Sequence, residues 1–286
     1  MLPVKPSTLS PALASVLPCC LLLGCLWLGC ASAPTRPAGP ATLTLQEATV
    51  ATQSLSDTTV RYSGQVVSPS PGVLEKAEYE LVSDGQVMKT GTAPLNVPLP
   101  AGQPASFSFQ ERAAYVKGPE DLKALSERGG TMLVALRGTL TVRSGQEVET
   151  LPFAASRSVR APRLPEVVVD SLDAARYSAE EVGITLRLGV KNSNPFPLRL
   201  EQITYTLEVA GKVLDEGTLG KADTVDASAT GTYPLEATVS ASTWGKDVKA
   251  LISKGTLPYT LKGEVKGPLL RQPFTLEGSV KLNVSR

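Results

Sequence analysis

The chain repeats itself: residues 69–92 align without gaps on residues 195–218, and ten of those 24 positions are identical. The identical residues of the first segment are Pro69, Pro71, Leu74, Glu75, Tyr79, Leu81, Gly85, Val87, Gly91 and Thr92. A repeat that keeps its order and register over this length predicts two successive copies of one domain. We place the copies at 42–162 and 163–286, and the Pro-containing linker between them at 161–165.

Apolar and polar residues alternate along each copy. In the second copy, apolar residues stand at every second position of 184–190, 203–209 and 233–239, and the alternation returns in 274–284. A period of two indicates strands with one buried face and one solvent-facing face. The sequence therefore predicts an all-β chain of two tandem antiparallel β-sandwiches, similar to immunoglobulin or fibronectin type III domains, and not a parallel sheet with crossover helices.

One segment in each copy departs from this alternation. Residues 119–129 begin with Pro119 and two acids and end with Arg128 and Gly129, which are the preferences of a helix's two ends. Residues 242–255 are the counterpart in the second copy, with apolar residues at helical spacing. We therefore expect one short helix per domain, closing one end of its sandwich.

All four cysteines lie in the first thirty residues, and the last of them, Cys30, follows Leu28 and Gly29 at the end of an apolar stretch. With Lys5 ahead of that stretch, residues 1–29 have the order of a secretory signal peptide. The residues Leu28, Gly29, Cys30 and Ala31 resemble the lipobox of bacterial lipoproteins. We therefore predict that Cys30 carries a lipid anchor, and that 30–41 is a lipidated, Pro-rich tether.

Other forms of processing remain open. Cys25, after Leu22, Leu23 and Gly24, is the alternative lipidation site. The apolar stretch also approaches the ~18–20 residues that a membrane-spanning helix needs, and ordinary secretory cleavage after Ala33 is a further possibility. Ala31, next to the lipidated cysteine, resembles the residues of lipoproteins sorted to the outer membrane, so we predict a bacterial envelope protein facing the periplasm.

The composition argues against several classes of function. The chain has no histidine, and no cysteine follows Cys30, which excludes thiolate catalysis and zinc sites built on either residue type in the mature protein. No nucleophile motif stands in a suitable context, so we predict no catalytic residue, metal or cofactor. Residues 42–162 hold 11 basic and 12 acidic residues, and 163–286 hold 15 of each. That balance predicts no nucleic-acid binding.

A family resemblance rests on the second copy. Its segment 190–197 contains Asn192, Asn194 and Pro195, and a strand with Tyr205 and a turn at Gly211 follow. This order resembles the late embryogenesis abundant type 2 family, also called the water-stress and hypersensitive-response domain. The first copy resembles the family too, in degenerate form, since its equivalent segment 66–69 lacks the asparagines.

The resemblance implies an antiparallel β-sandwich with a helix and a non-enzymatic role in desiccation, osmotic or cold stress. Some members protect labile enzymes, and bacterial members are commonly exported lipoproteins. Asn192 and Asn194 are polar enough to hold a ligand. We interpret them as structural instead, because Asn caps turns and Pro195 cannot donate to a β-ladder.

Two functions follow as hypotheses. The first is a lipid-anchored stress protectant that makes weak contacts with membranes or client proteins. The alternative is an envelope binding module that holds one protein or lipid partner through sandwich edges or loops. The sequence leaves the oligomeric state open, together with the choice between a stiff and a docked pair of domains.

Overall fold

The computed structural model describes residues 39–176, 178, 180–221 and 223–284. The described residues form one compact unit, in which two β-sandwiches follow each other along the chain. The predicted signal peptide, Cys25 and Cys30 lie outside the described residues.

The first sandwich contains seven strands and one helix. One sheet has the order β1-β2-β5 and the other the order β4-β3-β6-β7, and every pairing between neighbouring strands is antiparallel. The elements are β1 (Thr42–Gln53), β2 (Asp57–Val67), β3 (Gly72–Ser83), β4 (Gln86–Leu99), β5 (Pro104–Ala114), α1 (Pro119–Arg128), β6 (Thr131–Ser144) and β7 (Glu147–Arg160).

The second sandwich repeats this strand order. Its sheets are β12-β11-β15-β16 and β14-β9-β8-β17, and β10 pairs with β13 beside them. The elements are β8 (Glu166–Arg176), β9 (Glu181–Lys191), β10 (Leu198–Arg199), β11 (Gln202–Val209), β12 (Lys212–Leu219), β13 (Thr224–Val225), β14 (Thr230–Ser240), α2 (Ala241–Trp244), α3 (Lys246–Lys254), β15 (Thr256–Gly267), β16 (Leu270–Lys281) and β17 (Asn283–Val284). The predicted fold class is confirmed.

Alternation places the apolar side chains of each sandwich on its inner faces. In β9, Ile184, Leu186, Leu188 and Val190 are all buried, and the polar residues between them are not. A cluster of aromatic side chains fills the centre of the first sandwich, where the ring centroids of Tyr62 and Phe153 lie 4.6 Å apart. Burial of these faces is the main driving force for the fold.

The structure departs from the sequence expectations at three points. The second copy contains two helices instead of one, because Gly245 has a φ of 88°, which α-helical backbone does not allow, and so separates α2 from α3. The short strand β17 pairs in parallel with β8, whereas all other strand pairs are antiparallel in the described part of the chain. The helix α1 does more than close its own sandwich, because Leu122 enters the core of the second sandwich.

Candidate functional site

The predicted Asn-Pro motif lies in the loop between β9 and β10, at the junction of the two sandwiches. Asn192 and Asn194 are only 1% and 2% exposed, and Phe196 is also buried. Pro195, which lies between Asn194 and Phe196 in the chain, is exposed to solvent. Two buried amides are costly to desolvate unless their polar atoms find partners. Their hydrogen bonds therefore determine what the loop can do.

Asn192 holds the loop closed. Its Nδ2 donates to the backbone carbonyl oxygens of Phe196 at 2.8 Å and Asp226 at 3.0 Å, and it lies 3.3 Å from that of Val225. Its Oδ1 accepts from the backbone N–H of Asn194 at 3.0 Å and from Asn194 Nδ2 at 2.9 Å. The side chain thus ties the loop to the chain around β13 and orients the amide of Asn194.

Asn194 binds the linker between the two sandwiches. Its Oδ1 accepts from the backbone N–H of Arg163, and its Nδ2 donates to the Arg163 carbonyl, both at 2.8 Å. The two bonds together reproduce the pairing that a β-strand neighbour would make. Among the described residues, every buried side-chain nitrogen or oxygen has a partner, so neither amide keeps a buried group free for a ligand.

The helix α1 contacts the linker from the other side. The Ser126 hydroxyl accepts from the Leu164 backbone N–H at 2.9 Å, and the Gly130 carbonyl accepts from the Ala161 N–H at 3.0 Å. Leu122 is fully buried in the apolar cluster of the second sandwich. The linker is therefore fixed on both sides, and the two sandwiches are docked.

The equivalent loop of the first sandwich keeps the backbone geometry without the amides. Ser68 stands in place of Asn194, and its carbonyl accepts from the Gly102 N–H at 2.7 Å, as that of Asn194 does from Ser228 at 3.0 Å. Both donors have a positive φ, 66° for Gly102 and 55° for Ser228. The asparagines are therefore not needed for this backbone geometry, and they occur in the loop that contacts the linker.

The other two motif residues lie away from this network. Tyr205 is in the middle of β11, where its hydroxyl donates to Asp215 Oδ2 at 2.7 Å. Burial, with the Asp215 carboxylate as a smaller cause, raises the pKa of Tyr205 from 10 to about 12. Gly211, with a φ of 77°, forms the turn between β11 and β12 together with Ala210. We keep the structural role of the motif residues as a prediction.

Two grooves meet beside the Asn194 loop, and sequence analysis did not predict them. One, of about 350 Å³, is lined by Gly130, Thr131, Arg160, Ala161, Arg163, Ser193, Asn194 and Pro195. The other, of about 370 Å³, is lined by Val50, Ala51, Thr52, Gln53, Arg157, Ser158, Val159, Arg160, Pro195 and Phe196. Arg160 and Pro195 belong to both, so the grooves are adjacent. We call them together the junction groove.

A third groove on the same junction has a different electrostatic character. It measures about 240 Å³, and its lining includes Asp57, Arg112 and Arg199. Arg112 lies 2.6 Å from Asp57 Oδ2, and this hydrogen bond is the main reason that the pKa of Asp57 is lowered, although burial opposes it. Here an acid pairs with one of the two arginines, whereas no acid lines the junction groove.

The described residues contain no group of three or more Asp, Glu, His or Cys side chains that could hold a metal ion. No described helix has the length and apolar character to cross a membrane. The features of the described residues that could contact another molecule are the sheet edges and the junction groove. The buried amides of Asn192 and Asn194 instead hold the linker between the two sandwiches.

Comparison with known proteins supports a late embryogenesis abundant type 2 domain. Residues 187–280 match the family profile described as late embryogenesis abundant protein. A desiccation protectant protein Lea14 homolog from Glycine max is 27% identical over 142 residues, covering 43% of this chain and 93% of the soybean protein.

Two solved structures are also similar. A solution structure from Arabidopsis thaliana is 16% identical and covers 45% of this chain and 87% of its own, with a TM-score of 0.34. A crystal structure of a protein from Archaeoglobus fulgidus is 16% identical and covers 40% and 97%, with a TM-score of 0.28.

Proposed function

We propose that this protein is a non-enzymatic stress protectant that shields other proteins or membranes during desiccation, osmotic or cold stress. The observation that carries the proposal is the similarity to a desiccation protectant over nearly the whole length of that soybean protein. The family match at 187–280 adds support, because it falls on the sandwich with the intact Asn-Pro motif.

The first sandwich is, in this proposal, a second and degenerate domain of the same type. Its strand order repeats that of the matched sandwich. In addition, Tyr79 pairs across its sheet with Gly91 and Gly138, as Tyr205 pairs with Gly217 and Gly263. A Tyr between two glycines in the same strands of both sheets is a feature that unrelated sandwiches have no reason to share.

Protection is tested by drying, and by freezing and thawing, a labile dehydrogenase with the chain from Ala31 onward. An equal mass of albumin is the control for the general effect of added protein. We expect the enzyme to recover more activity with this protein than with albumin. Recovery equal to that with albumin would contradict a protective role.

We also propose that the protein is attached to the bacterial envelope through a lipid on Cys30, on the periplasmic face of the outer membrane. Fractionation of cells that express the full chain, with labelling by a fatty-acid analogue, tests the anchor. Cys30→Ser should release the protein from the membrane fraction and abolish labelling, and Cys25→Ser should change neither. If Cys25→Ser alone releases the protein, the anchor is on Cys25.

An envelope binding module is the second candidate, favoured by the edge strand β12. This strand ends its sheet, and its Val213 is 56% exposed. An open edge with an exposed apolar side chain is suited to pairing with a strand of another protein. Crosslinking in cells should then recover one dominant partner, and Val213→Lys should remove it; a diffuse set of partners would contradict this candidate.

A further inference from the structure

We propose that the junction groove binds a phosphate group, carried by a lipid headgroup or by a free phosphate. The groove is lined by Arg157, Arg160 and Arg163, all of them exposed. The planar guanidinium group matches the geometry of phosphate oxygens and binds them through paired hydrogen bonds. The proposal goes beyond stress protection and does not depend on it.

The three arginine side chains have no acidic partner. None of them takes part in an ion pair of the described residues. No Asp or Glu occurs between Glu149 and Glu166, and the residues opposite Arg157 and Arg160 on β6 are Val134 and Thr131. Three positive charges on one groove without a counter-charge produce a potential that attracts an anion.

The groove is held rigidly by the joint already described. The backbone of Arg163 is bound on both sides by Asn194, and the Arg160 carbonyl accepts from Gln53 Nε2 at 2.7 Å. Fixed backbone positions reduce the entropy lost when the side chains close on a ligand. The volume of each part lies within the roughly 300–1,000 Å³ of small-ligand sites.

The two parts of the groove differ in polarity. The part near Arg163 is lined by polar residues such as Thr131 and Ser193, whereas the part near Arg157 includes Val50 and Phe196. A phosphate with an apolar chain would place its charge at Arg160, which both parts share, and its chain along the apolar part. We therefore expect a short-chain phosphatidic acid to bind more tightly than inorganic phosphate.

The experiment is calorimetric titration of the chain from Ala31 onward with inorganic phosphate and with dihexanoyl phosphatidic acid below its micellar concentration. Co-sedimentation with vesicles of equal phosphatidylglycerol and phosphatidylcholine is a third arm. The test variant is Arg157→Gln, Arg160→Gln and Arg163→Gln together. The matched control removes three exposed charges elsewhere, Arg61→Gln, Arg187→Gln and Lys281→Gln.

We expect saturable binding with one ligand per chain. The groove variant should weaken it by about tenfold or more, because charge-assisted hydrogen bonds are lost, and the control should change it by less than about twofold. Tighter binding of the lipid than of phosphate identifies a headgroup as the ligand, and equal affinities identify free phosphate. No saturable binding, or an equal loss in both variants, would overturn the site.

Arginines beside a helix end can also serve only to stabilise that end, and α1 ends close to the groove at Arg128. Binding separates the two roles, since a purely stabilising arginine gives no saturable titration. If the triple variant does not fold, Arg160→Lys is the substitute, because it keeps the charge and removes the planar donor pair. It should still weaken phosphate binding several-fold, and unchanged binding would contradict the proposal.

Discussion

The side-chain amide of Asn194 binds both backbone polar groups of Arg163, with its Oδ1 on the N–H and its Nδ2 on the carbonyl at 2.8 Å each. One side chain of the second sandwich thereby fixes the linker from the first. Both bonds are partly buried, so removal of the amide would leave the two backbone groups of Arg163 without a partner in a site that water reaches only in part.

Asn194→Ala should lower the free energy of unfolding by about 2–4 kcal/mol, since it leaves two backbone groups of Arg163 without their partner and removes one of the two donors to Asn192 Oδ1. Asn194→Asp should also destabilise the protein, because a carboxylate cannot donate to the Arg163 carbonyl. Urea unfolding measures both. Ser193→Ala at the exposed neighbouring position is the control, and an equal effect there would contradict a special role for Asn194.

Because the two sandwiches are docked, we predict that a destabilising substitution in the first sandwich also lowers the stability of the second. Leu122 is fully buried in the core of the second sandwich, so Leu122→Ala should cost about 2–5 kcal/mol there. Trp244, which belongs to α2 of the second sandwich, is the single tryptophan after residue 30, so a change of tryptophan fluorescence on unfolding is assigned to it. Leu122→Ala should therefore lower the urea midpoint seen by tryptophan fluorescence.

The control for this prediction is Leu133→Ala, at an apolar position that is 51% exposed on β6. It should leave the midpoint almost unchanged. If Leu122→Ala leaves the urea midpoint of tryptophan fluorescence unchanged but lowers the midpoint of a probe in the first sandwich, the two sandwiches unfold independently.

The sheets were predictable because alternation is a local property of the chain. The strand β9 shows its buried face in its own sequence, with Ile184, Leu186, Leu188 and Val190 at every second position. The joint was not predictable in the same way. Leu122 and Leu125 have helical spacing, which is compatible with a helix that covers its own sandwich. No feature of the surrounding sequence indicates that Leu122 enters the core of the second sandwich.

The arginine groove was missed for a different reason. Counting charges over whole halves gives a balance, and this average conceals Arg157, Arg160 and Arg163, which lie within seven residues that contain no acid. A shorter window would have revealed them. The sequence still could not place Ser193 beside these arginines, since Ser193 comes from the second sandwich and joins the groove only once the sandwiches dock.

Tyr205 should make stability fall at alkaline pH. Its pKa rises from 10 in the unfolded chain to about 12 in the folded protein, so the folded state retains a proton that the unfolded state loses. The resulting stabilisation is complete below pH 10 and is lost as the pH rises to about 12. Unfolding free energies across this range should therefore decline less steeply in Tyr205→Phe than in the unaltered protein.

Asp215→Asn provides the matched test of the cause. Burial is the largest single cause of the raised pKa, followed by the hydrogen bond to the Asp215 carboxylate and by the charge of that carboxylate. The variant should therefore lower the pKa of Tyr205 only in part, as followed by phenolate absorbance. A complete return to the ordinary value would show that the carboxylate, and not burial, determines it.

A pair of equivalent glycines should respond differently to the same substitution. Gly91 and Gly217 each face a tyrosine on the neighbouring strand, and neither has a positive φ, so alanine is compatible with both backbones. A Cβ at Gly91 would lie 2.7 Å from Cζ of Tyr79, whose ring is 5% exposed and packed against Phe109. At Gly217 the nearest atom is Tyr205 Oη at 3.1 Å.

Gly91→Ala should therefore destabilise the protein by about 1–3 kcal/mol, because the Tyr79 ring, which packs against Phe109, would have to shift to admit the methyl group. Gly217→Ala should cost little, since the half-buried Tyr205 can shift by a few tenths of an ångström and alanine reduces the entropy of the unfolded chain. Urea unfolding of the two variants in parallel measures the difference. Equal losses would mean that the two Tyr–Gly pairs are packed alike, and that the repeat extends to the tightness of the cores.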